Sequence, residues 1–259
     1  MAKADVPFEG VGVALVTLFH EDGSLDAPST AALAARLADL GMRAIVVAGS
    51  TGEAASLDPD ERVALIEAVR AELQSPSRPM LVAGTGAPSA YQAAALTRQA
   101  RDAGADAVIA LSPPRSNDLA AYYERVRESA GDLPVLAYHF PVVSSPGIPV
   151  EVLPSLPVDA CKDSSGDPGR LLHTLSTCEL PLYVGSAALL ALAGPLGCAG
   201  AILALANAEP ERCAAAFAGD TEAQLALASA HRRASERFPS GIKELTAERF
   251  GTSIVQRMG

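Results

Sequence analysis

RAIVVAGSTGEAASLDPDERVALIEAV, residues 43–69, holds the unit from which the whole chain is built. Arg43 to Gly49 is a short apolar run, a Gly/Ser/Thr punctuation follows, and Asp58-Pro59-Asp60-Glu61 opens an amphipathic stretch with proline and acids in its first turn. That order predicts a strand, a turn and a helix. The unit recurs, with strands expected at VGVALVTLF (11–19), RAIVVAG (43–49), PMLVAGT (79–85), ADAVIALS (105–112), PVLAYHF (134–140), VDACKD (158–163), LYVG (182–185) and GAILAL (200–205). Pro28 after Asp26 and Pro88-Ser89 after Gly86 mark further helix starts. Alternation with short connections implies parallel strands joined by right-handed crossovers, and eight such units in about 200 residues is the size of a closed barrel. The expected fold is therefore α/β, a (β/α)8 TIM barrel. After Asn207 the residues 209–218, 221–237 and 240–250 read as helices without strands between them. The expected organisation is a barrel over 1–206 and a short C-terminal helical extension of the same domain over 207–259.

The competing fold is an open, doubly wound sheet, which often carries a GxGxxG turn after its first strand. Here the first strand runs into LFHEDGSLD, and the one GxG, Gly84-Thr85-Gly86, is followed by Ala-Pro, so a dinucleotide site fits poorly. With 49% hydrophobic residues, 4% aromatic and no tryptophan, the interior must be filled by Ala, Leu, Val and Ile, as in layered α/β proteins. A net charge of −10 without a basic cluster disfavours nucleic acid as a partner. The cysteines Cys161, Cys178, Cys198 and Cys213 form no CxxC pair and the histidines no HExxH, so reduced thiols and no metal are expected. Between Glu179 and Glu209 no residue is charged, yet Gly194-Pro195, Gly197 and Gly200 cut the run into two buried strands around a short helix rather than a membrane span. The opening MAKADVPFEG lacks a secretory pattern, which points to the cytoplasm.

A closed barrel forms its active site at the C-terminal ends of the strands. Three such ends carry reactive groups: Gly49-Ser50-Thr51-Gly52-Glu53 after the second strand, Tyr138-His139-Phe140-Pro141 at the fifth, and Lys162-Asp163-Ser164-Ser165-Gly166-Asp167 at the sixth. Lys162 ends an apolar strand, where the barrel mouth strips water from a side chain. Burial disfavours an ammonium ion, and a neutral amine attacks a ketone to give an electron-withdrawing iminium. The plainer alternative is a lysine that reaches out to pair with Asp163 or Asp167, and Lys162 alone favours it. Alternation places Leu136, Tyr138 and Phe140 on one strand face and Val135, Ala137 and His139 on the other. If Tyr138 faces the lumen, His139 packs behind the site. A phenol beside an iminium can carry protons, with a hydroxyl from Ser50 to orient it; a buried ring with a satisfied OH is the commoner role. The GSTGE turn offers N–H groups and two hydroxyls to a carboxylate, or is an ordinary turn in which Glu53 binds nearby backbone amides.

GSTGE, YHFP and CKDSSGD, in that order and each at a strand end, together resemble the dihydrodipicolinate synthase/N-acetylneuraminate lyase family of pyruvate-dependent Schiff-base enzymes. The resemblance runs from GVGVALVTLF (10–19) through GCAGAILALANAEP (197–210) to FPSGIKELTAERFG (238–251). It implies a (β/α)8 barrel with C-terminal helices, assembled as a homo-oligomer. It makes Lys162 the Schiff-base lysine, Tyr138 the proton-transferring phenol and Ser50 its hydrogen-bonding partner. Thr51 then holds the 2-oxo acid carboxylate, with Gly49, Ser164 and Ile202 in the substrate-binding set, and no cofactor is needed beyond the covalent Schiff base. Val142-Val143-Ser144 stand where dihydrodipicolinate synthases carry an arginine for the second substrate's carboxylate, which disfavours lysine biosynthesis. Pro113-Pro114-Arg115 replaces the family's Pro-Tyr-Tyr in a shortened loop, so the tyrosine often lent across a subunit interface is missing. Arg115 is then a candidate anionic contact or a solvated loop arginine, and Ser186 a candidate contact to a substrate hydroxyl. The C-terminal helical region is shorter than usual for the family, which leaves a dimer or a tetramer as the expected assembly.

The expected activity is that of a class I lyase or aldolase that cleaves or forms a C–C bond in a hydroxylated 2-oxo acid, with pyruvate as product or donor and an aldehyde as the other partner. A 2-oxo-3-deoxy sugar acid dehydratase shares the same iminium. A non-catalytic 2-oxo acid sensor or scaffold is the alternative from another class, although a sensor needs no desolvated amine beside a phenol. A nicotinamide-dependent oxidoreductase lacks its fingerprint.

Overall fold

The computed structural model describes residues 6–75, 77–115 and 118–258; residues 1–5, which open the stretch read for a leader, lie outside the described residues. Eight parallel strands close in chain order: β1 (Gly10–Ala14), β2 (Ala44–Val47), β3 (Met80–Gly84), β4 (Ala107–Leu111), β5 (Val135–His139), β6 (Ala160–Asp163), β7 (Leu182–Val184) and β8 (Gly200–Leu203). Each overlaps a run read as a strand and is shorter; in all but β6 the last residues of the run leave the ladder at the mouth. Residues 15–19 show why this is possible. Their N–H groups find other acceptors, Val16 on the Asn207 side chain at 3.1 Å and Leu18 on the Thr30 hydroxyl at 3.0 Å. The buried Asn207 amide also donates to the Ala14 and Ala204 carbonyls at 2.7 and 2.8 Å, lacing the end of β1 to the end of β8.

Helices α1 (Ala27–Asp39), α2 (Pro59–Glu72), α3 (Ala90–Asp102), α4 (Leu119–Ala130), α5 (Pro168–Thr177), α6 (Leu190–Ala193) and α7 (Pro210–Phe217) ring the barrel. Their starts follow the caps written in the sequence. Asp26 accepts from the Ser29 N–H at 3.0 Å, Ser89 from the Gln92 N–H at 3.3 Å, and Glu61 reaches back to the Asp58 N–H at 3.0 Å. Strict alternation fails once. The crossing from β5 to β6 holds only a 3-10 turn, Val150–Ser155. Pro146, Pro149, Pro154 and Pro157 remove the donors that a helix there would need. The charge-free run after Glu179 forms β7, α6 and β8, and among the described residues no helix is long and apolar enough to cross a membrane. After α7 come α8 (Thr221–Ala226), α9 (Ala228–Glu236) and α10 (Ser240–Phe250), so the helix expected over 221–237 is two pieces that meet at Leu227. The cysteines are free thiols, and burial pushes the Cys198 thiol up to about 11.

Alternation along the strands makes two cores. Inside the barrel Val46, Val82, Ile109, Leu136 and Ile202 pack together, while the intervening residues face the helices. Tyr183 plugs the N-terminal end of the lumen against Phe8, ring centroids 4.5 Å apart, with its hydroxyl donating to the Phe8 carbonyl at 2.6 Å. Gly200 makes this possible, since a Cβ there would lie 3.0 Å from the Tyr183 ring and 2.2 Å from the Gly10 carbonyl oxygen.

A repeated clip fastens the same end. Asp106, just before β4, accepts the Leu81 N–H of β3 at 2.8 Å and pairs with Arg70 of α2 and with Arg78. Asp159, just before β6, accepts the Val135 N–H of β5 at 2.7 Å and pairs with Arg127 of α4. Burial acts to raise the Asp106 carboxyl, but the hydrogen bonds from Arg78, Leu81 and Arg70 outweigh it and hold it below its usual 3.8. A depressed acid contributes stability above its unfolded pKa and loses it as pH falls through the folded value. Asp106→Asn is expected to cost roughly 2 kcal/mol at pH 7. In urea melts at pH 7 and pH 3 the gap between variant and parent narrows at pH 3; an equal gap at both would refute the assignment.

Candidate active site

The pairing of β5 with β6 sets Tyr138 opposite Lys162, and the pairing of β6 with β7 sets Lys162 opposite Tyr183. Leu136 and Ala160 lie in the lumen one alternation step below, so Tyr138 and Lys162 also face inward. Both are buried, and the Lys162 Nζ sits 4.2 Å from the centre of the Tyr138 ring. The acids that might have drawn the amine outward are engaged elsewhere. Asp163 pairs with Arg170 of α5 at 2.6 Å, and Asp167 caps α5 by accepting from Gly169 and Arg170 N–H groups at 2.7 and 3.2 Å. Among the described residues Lys162 forms no ion pair.

Behind this wall lies a small polar cluster. Arg170 also donates to the Ile148 carbonyl at 2.7 Å, and the Ile148 N–H donates to His139 Nδ1 at 2.8 Å. His139 faces away from the lumen, as the alternation requires, and burial lowers its pKa, in keeping with a neutral ring that accepts at Nδ1. Gly147 lies against that imidazole at φ +81°, where a Cβ would come within 2.5 Å of Nδ1.

The turn after β2 is held between two left-handed residues, Ala48 at φ +51° and Glu53 at φ +54°. Such a conformation costs a non-glycine residue about 1–2 kcal/mol, and strain of this kind concentrates at functional sites. Gly49 builds the turn through its carbonyl, which accepts from Gly52 and Ala54 N–H groups at 3.0 and 3.1 Å. Among the described residues the N–H groups and hydroxyls of Ser50 and Thr51 have no hydrogen-bond partner, which leaves a nest open to an anion. Glu53 is fully buried and reaches far beyond its neighbours. It pairs with Lys243 of α10 and accepts the N–H groups of Arg257 and Met258 at 2.8 and 2.7 Å. Lys243 donates to the Val255 carbonyl at 2.6 Å, and Arg257 forks onto Glu61 at 2.7 and 2.6 Å. Residues 251–258 are thereby strapped over the turn.

Ser50, Thr51, Tyr138, Lys162, Ser164 and Ser186 all line one cavity of about 1230 Å³ at the barrel mouth. Tyr138 and Ser50 share it without a direct hydrogen bond. Gly49, Ile202 and Arg115 are not among the lining residues. Ile202 packs one layer lower in the lumen, and Arg115 is an exposed loop residue whose N–H donates to the Ser145 carbonyl at 3.0 Å. Sequence reasoning missed Gly185, where a Cβ would stand 1.8 Å from the Ser164 hydroxyl and 3.1 Å from Lys162 Cε; the signal was a glycine ending the LYVG strand. It also missed the Glu53–Lys243 pair and the outer wall of Phe238 and Met258, which bear no local mark. Among the described residues no group of three or more His, Cys, Asp or Glu lies close enough to hold a metal ion.

A closed eight-stranded barrel that presents a buried amine against a phenol, next to an open anion nest, defines the architecture of a class I, Schiff-base type of aldolase or lyase. The chain belongs to the dihydrodipicolinate synthetase family, whose model matches residues 7–252, and is an enzyme of that class. It is 31% identical to the 4-hydroxy-tetrahydrodipicolinate synthase of Corynebacterium aurimucosum, over 96% of this chain and 83% of that protein. To the enzyme of the same name from Corynebacterium urealyticum it is 34% identical, over 69% of this chain but only 61% of that one. Its fold matches YagE, a prophage protein of the dihydrodipicolinic acid synthase family from E. coli K12 solved in complex with pyruvate. The TM-score is 0.89 at 25% identity, covering 97% of this chain and 92% of that one.

Arg170→Met removes one partner of a pair buried behind the site, which typically costs about 3–5 kcal/mol. The thermal midpoint is expected to fall by roughly 10 °C. The double variant Asp163→Asn/Arg170→Met should recover part of that loss in the same melting experiment; no recovery would mean that the pair is not what stabilises the wall.

Proposed function

We propose that the chain cleaves or forms a C–C bond in a hydroxylated 2-oxo acid through a Schiff base on Lys162, with pyruvate as product or donor. The observation that carries this reading is a buried amine, without a carboxylate partner, on the face of a phenol at the mouth of the barrel. Thr51, through its hydroxyl and N–H, holds the substrate carboxylate in the nest. Lys162 Nζ attacks the C2 carbonyl, and the carbinolamine loses water to give an iminium. In the cleavage direction the C4 hydroxyl gives up its proton, the C3–C4 bond breaks, and the electron pair is taken up as an enamine while an aldehyde leaves. Protonation at C3 and hydrolysis then release pyruvate. Tyr138 moves these protons, Ser50 in the same cavity is its candidate hydroxyl partner once substrate is bound, and Ser164 and Ser186 meet the C4 oxygen. The chemistry needs no metal or organic cofactor. We place the protein in the cytoplasm as a homo-oligomer, a dimer or a tetramer.

The relatives favour a second reading, a 4-hydroxy-tetrahydrodipicolinate synthase, since two of them carry that name. Its second substrate bears a carboxylate. The one arginine lining the cavity, Arg62, already donates to the Gly84, Ala54 and Leu57 carbonyls, so we rank this reading below an aldolase for another aldehyde. A dehydratase differs in releasing no aldehyde.

The test is intact-mass spectrometry after incubation with pyruvate and borohydride. A reduced pyruvyl adduct is expected on the parent and absent from Lys162→Ala; a parent that stays unmodified with pyruvate, 2-oxobutyrate and 2-oxoglutarate rules the mechanism out. Tyr138→Phe keeps the ring beneath the amine and removes the proton carrier, so turnover should fall by about 10²–10⁴-fold while trapping persists. Unchanged turnover would remove Tyr138 from the proton path.

A further inference from the structure

The wall of the cavity beyond the amine has a chemistry of its own. From Lys162 the rings run outward in a line: Nζ lies 4.2 Å from the Tyr138 centroid, Tyr138 stacks on Phe140 at 5.8 Å, and Phe140 meets Phe238 edge-on at 6.3 Å. Ten large apolar side chains are exposed among the described residues, and half of them, Tyr91, Val142, Val143, Phe238 and Met258, line this one cavity. Scattered exposed hydrophobics are ordinary; a concentration at one concave site marks a binding surface.

The charges on this wall point the same way. Lys162 is committed to the C2 carbonyl, and Arg62 is committed to three backbone carbonyls. Burial lowers the pKa of His231, which favours its neutral form. The acid on this wall, Glu236, pairs outward with Arg232 at 2.8 Å. A carboxylate on the incoming aldehyde would thus lose water without gaining a free cation, and burying an unpaired charge is costly. A polyhydroxylated tail that ran along Val142, Val143 and Phe238 would find no hydrogen-bonding side chain among those three, although Gln92, Gln99 and Ser235 also line the cavity.

We infer that the second substrate is an uncharged apolar aldehyde, aromatic or branched aliphatic, held against the apolar surface that Phe140 and Phe238 form together. This rests on the Schiff-base reading of Lys162. The enamine C3 adds to the aldehyde carbon, the aldehyde oxygen takes a proton, and hydrolysis of the iminium frees a 4-hydroxy-2-oxo acid whose C4 substituent is apolar.

The experiment supplies pyruvate with benzaldehyde, glyceraldehyde or succinic semialdehyde to the full-length protein and follows pyruvate consumption. The expected result is a kcat/KM for benzaldehyde about tenfold or more above both others. Phe238→Ser erases that advantage and Phe238→Leu keeps most of it. Equal or lower benzaldehyde activity, with the borohydride adduct intact on the parent, overturns the inference and leaves the role of Lys162 standing; no adduct on the parent overturns both. If Val142→Asp dissociates an oligomer and leaves the aldehyde preference unchanged, the patch is a subunit interface and the inference is overturned.

Discussion

The freedom of Lys162 from a carboxylate partner depends on an ion pair that does not include it. Asp163 follows the lysine in the chain and, as the next residue of a strand, points the opposite way, where Arg170 meets it at 2.6 Å. Two neighbouring residues of opposite charge are thus separated by the pleat of the strand. A lysine that had found Asp163 would be tied to it and drawn out of the lumen. With the acid neutralised behind the sheet, the amine is left in the lumen with a ring face as its neighbour. The Arg170 guanidinium donates through Nη2 to the Ile148 carbonyl, so one side chain fixes α5, β6 and the loop after β5 together.

The second fixed element is the turn after β2. Its two left-handed residues would relax in an isolated peptide, because alanine and glutamate gain nothing locally from that conformation. The buried Glu53–Lys243 pair and the N–H groups of Arg257 and Met258 hold it from the other end of the chain. Charge buried this completely adds little net stability. What it adds is definition, since the turn after β2 is anchored to the C-terminal strap through Glu53. Residues 251–258 are therefore part of the mouth of the barrel, and Met258 reaches the cavity itself.

Division of labour between the two barrel ends follows from the same topology. At the N-terminal end, Asp106 and Asp159 clip strands in register and Tyr183 plugs the lumen, all of it stabilising. At the C-terminal end polar groups are left open, hydrophobics are left exposed, and strained backbone is tolerated. The price of the second end is carried by the first.

Much of this was legible in the sequence because it is local. Eight apolar runs, their punctuation and the helix caps at Asp26, Asp58 and Ser89 depend on residues a few positions apart, and they determined the barrel. Period-two alternation determined that Tyr138 and His139 face opposite ways, and closure of the barrel decided that Tyr138 is the one turned inward. The three strand-end motifs pointed to the barrel mouth, where Ser50, Thr51, Tyr138, Lys162 and Ser164 line one cavity. What the sequence left open was every relation between distant residues. Whether Lys162 pairs with an acid turned on Arg170, a helix away. Glu53 finds its partners some two hundred positions along the chain, and no local rule names Lys243 as one of them. Ile202 enters the substrate-binding set only through the resemblance, yet it packs in the luminal core and does not line the cavity. The crossing after β5 loses its helix to four prolines, which composition does state. The meeting of Phe140 with Phe238 is decided only when β5 and the segment before α10 are brought together. Local propensity and pattern set which elements form; closure of the sheet and burial of charge set which side chains meet, because those energies exist only once remote parts of the chain exclude water from one another.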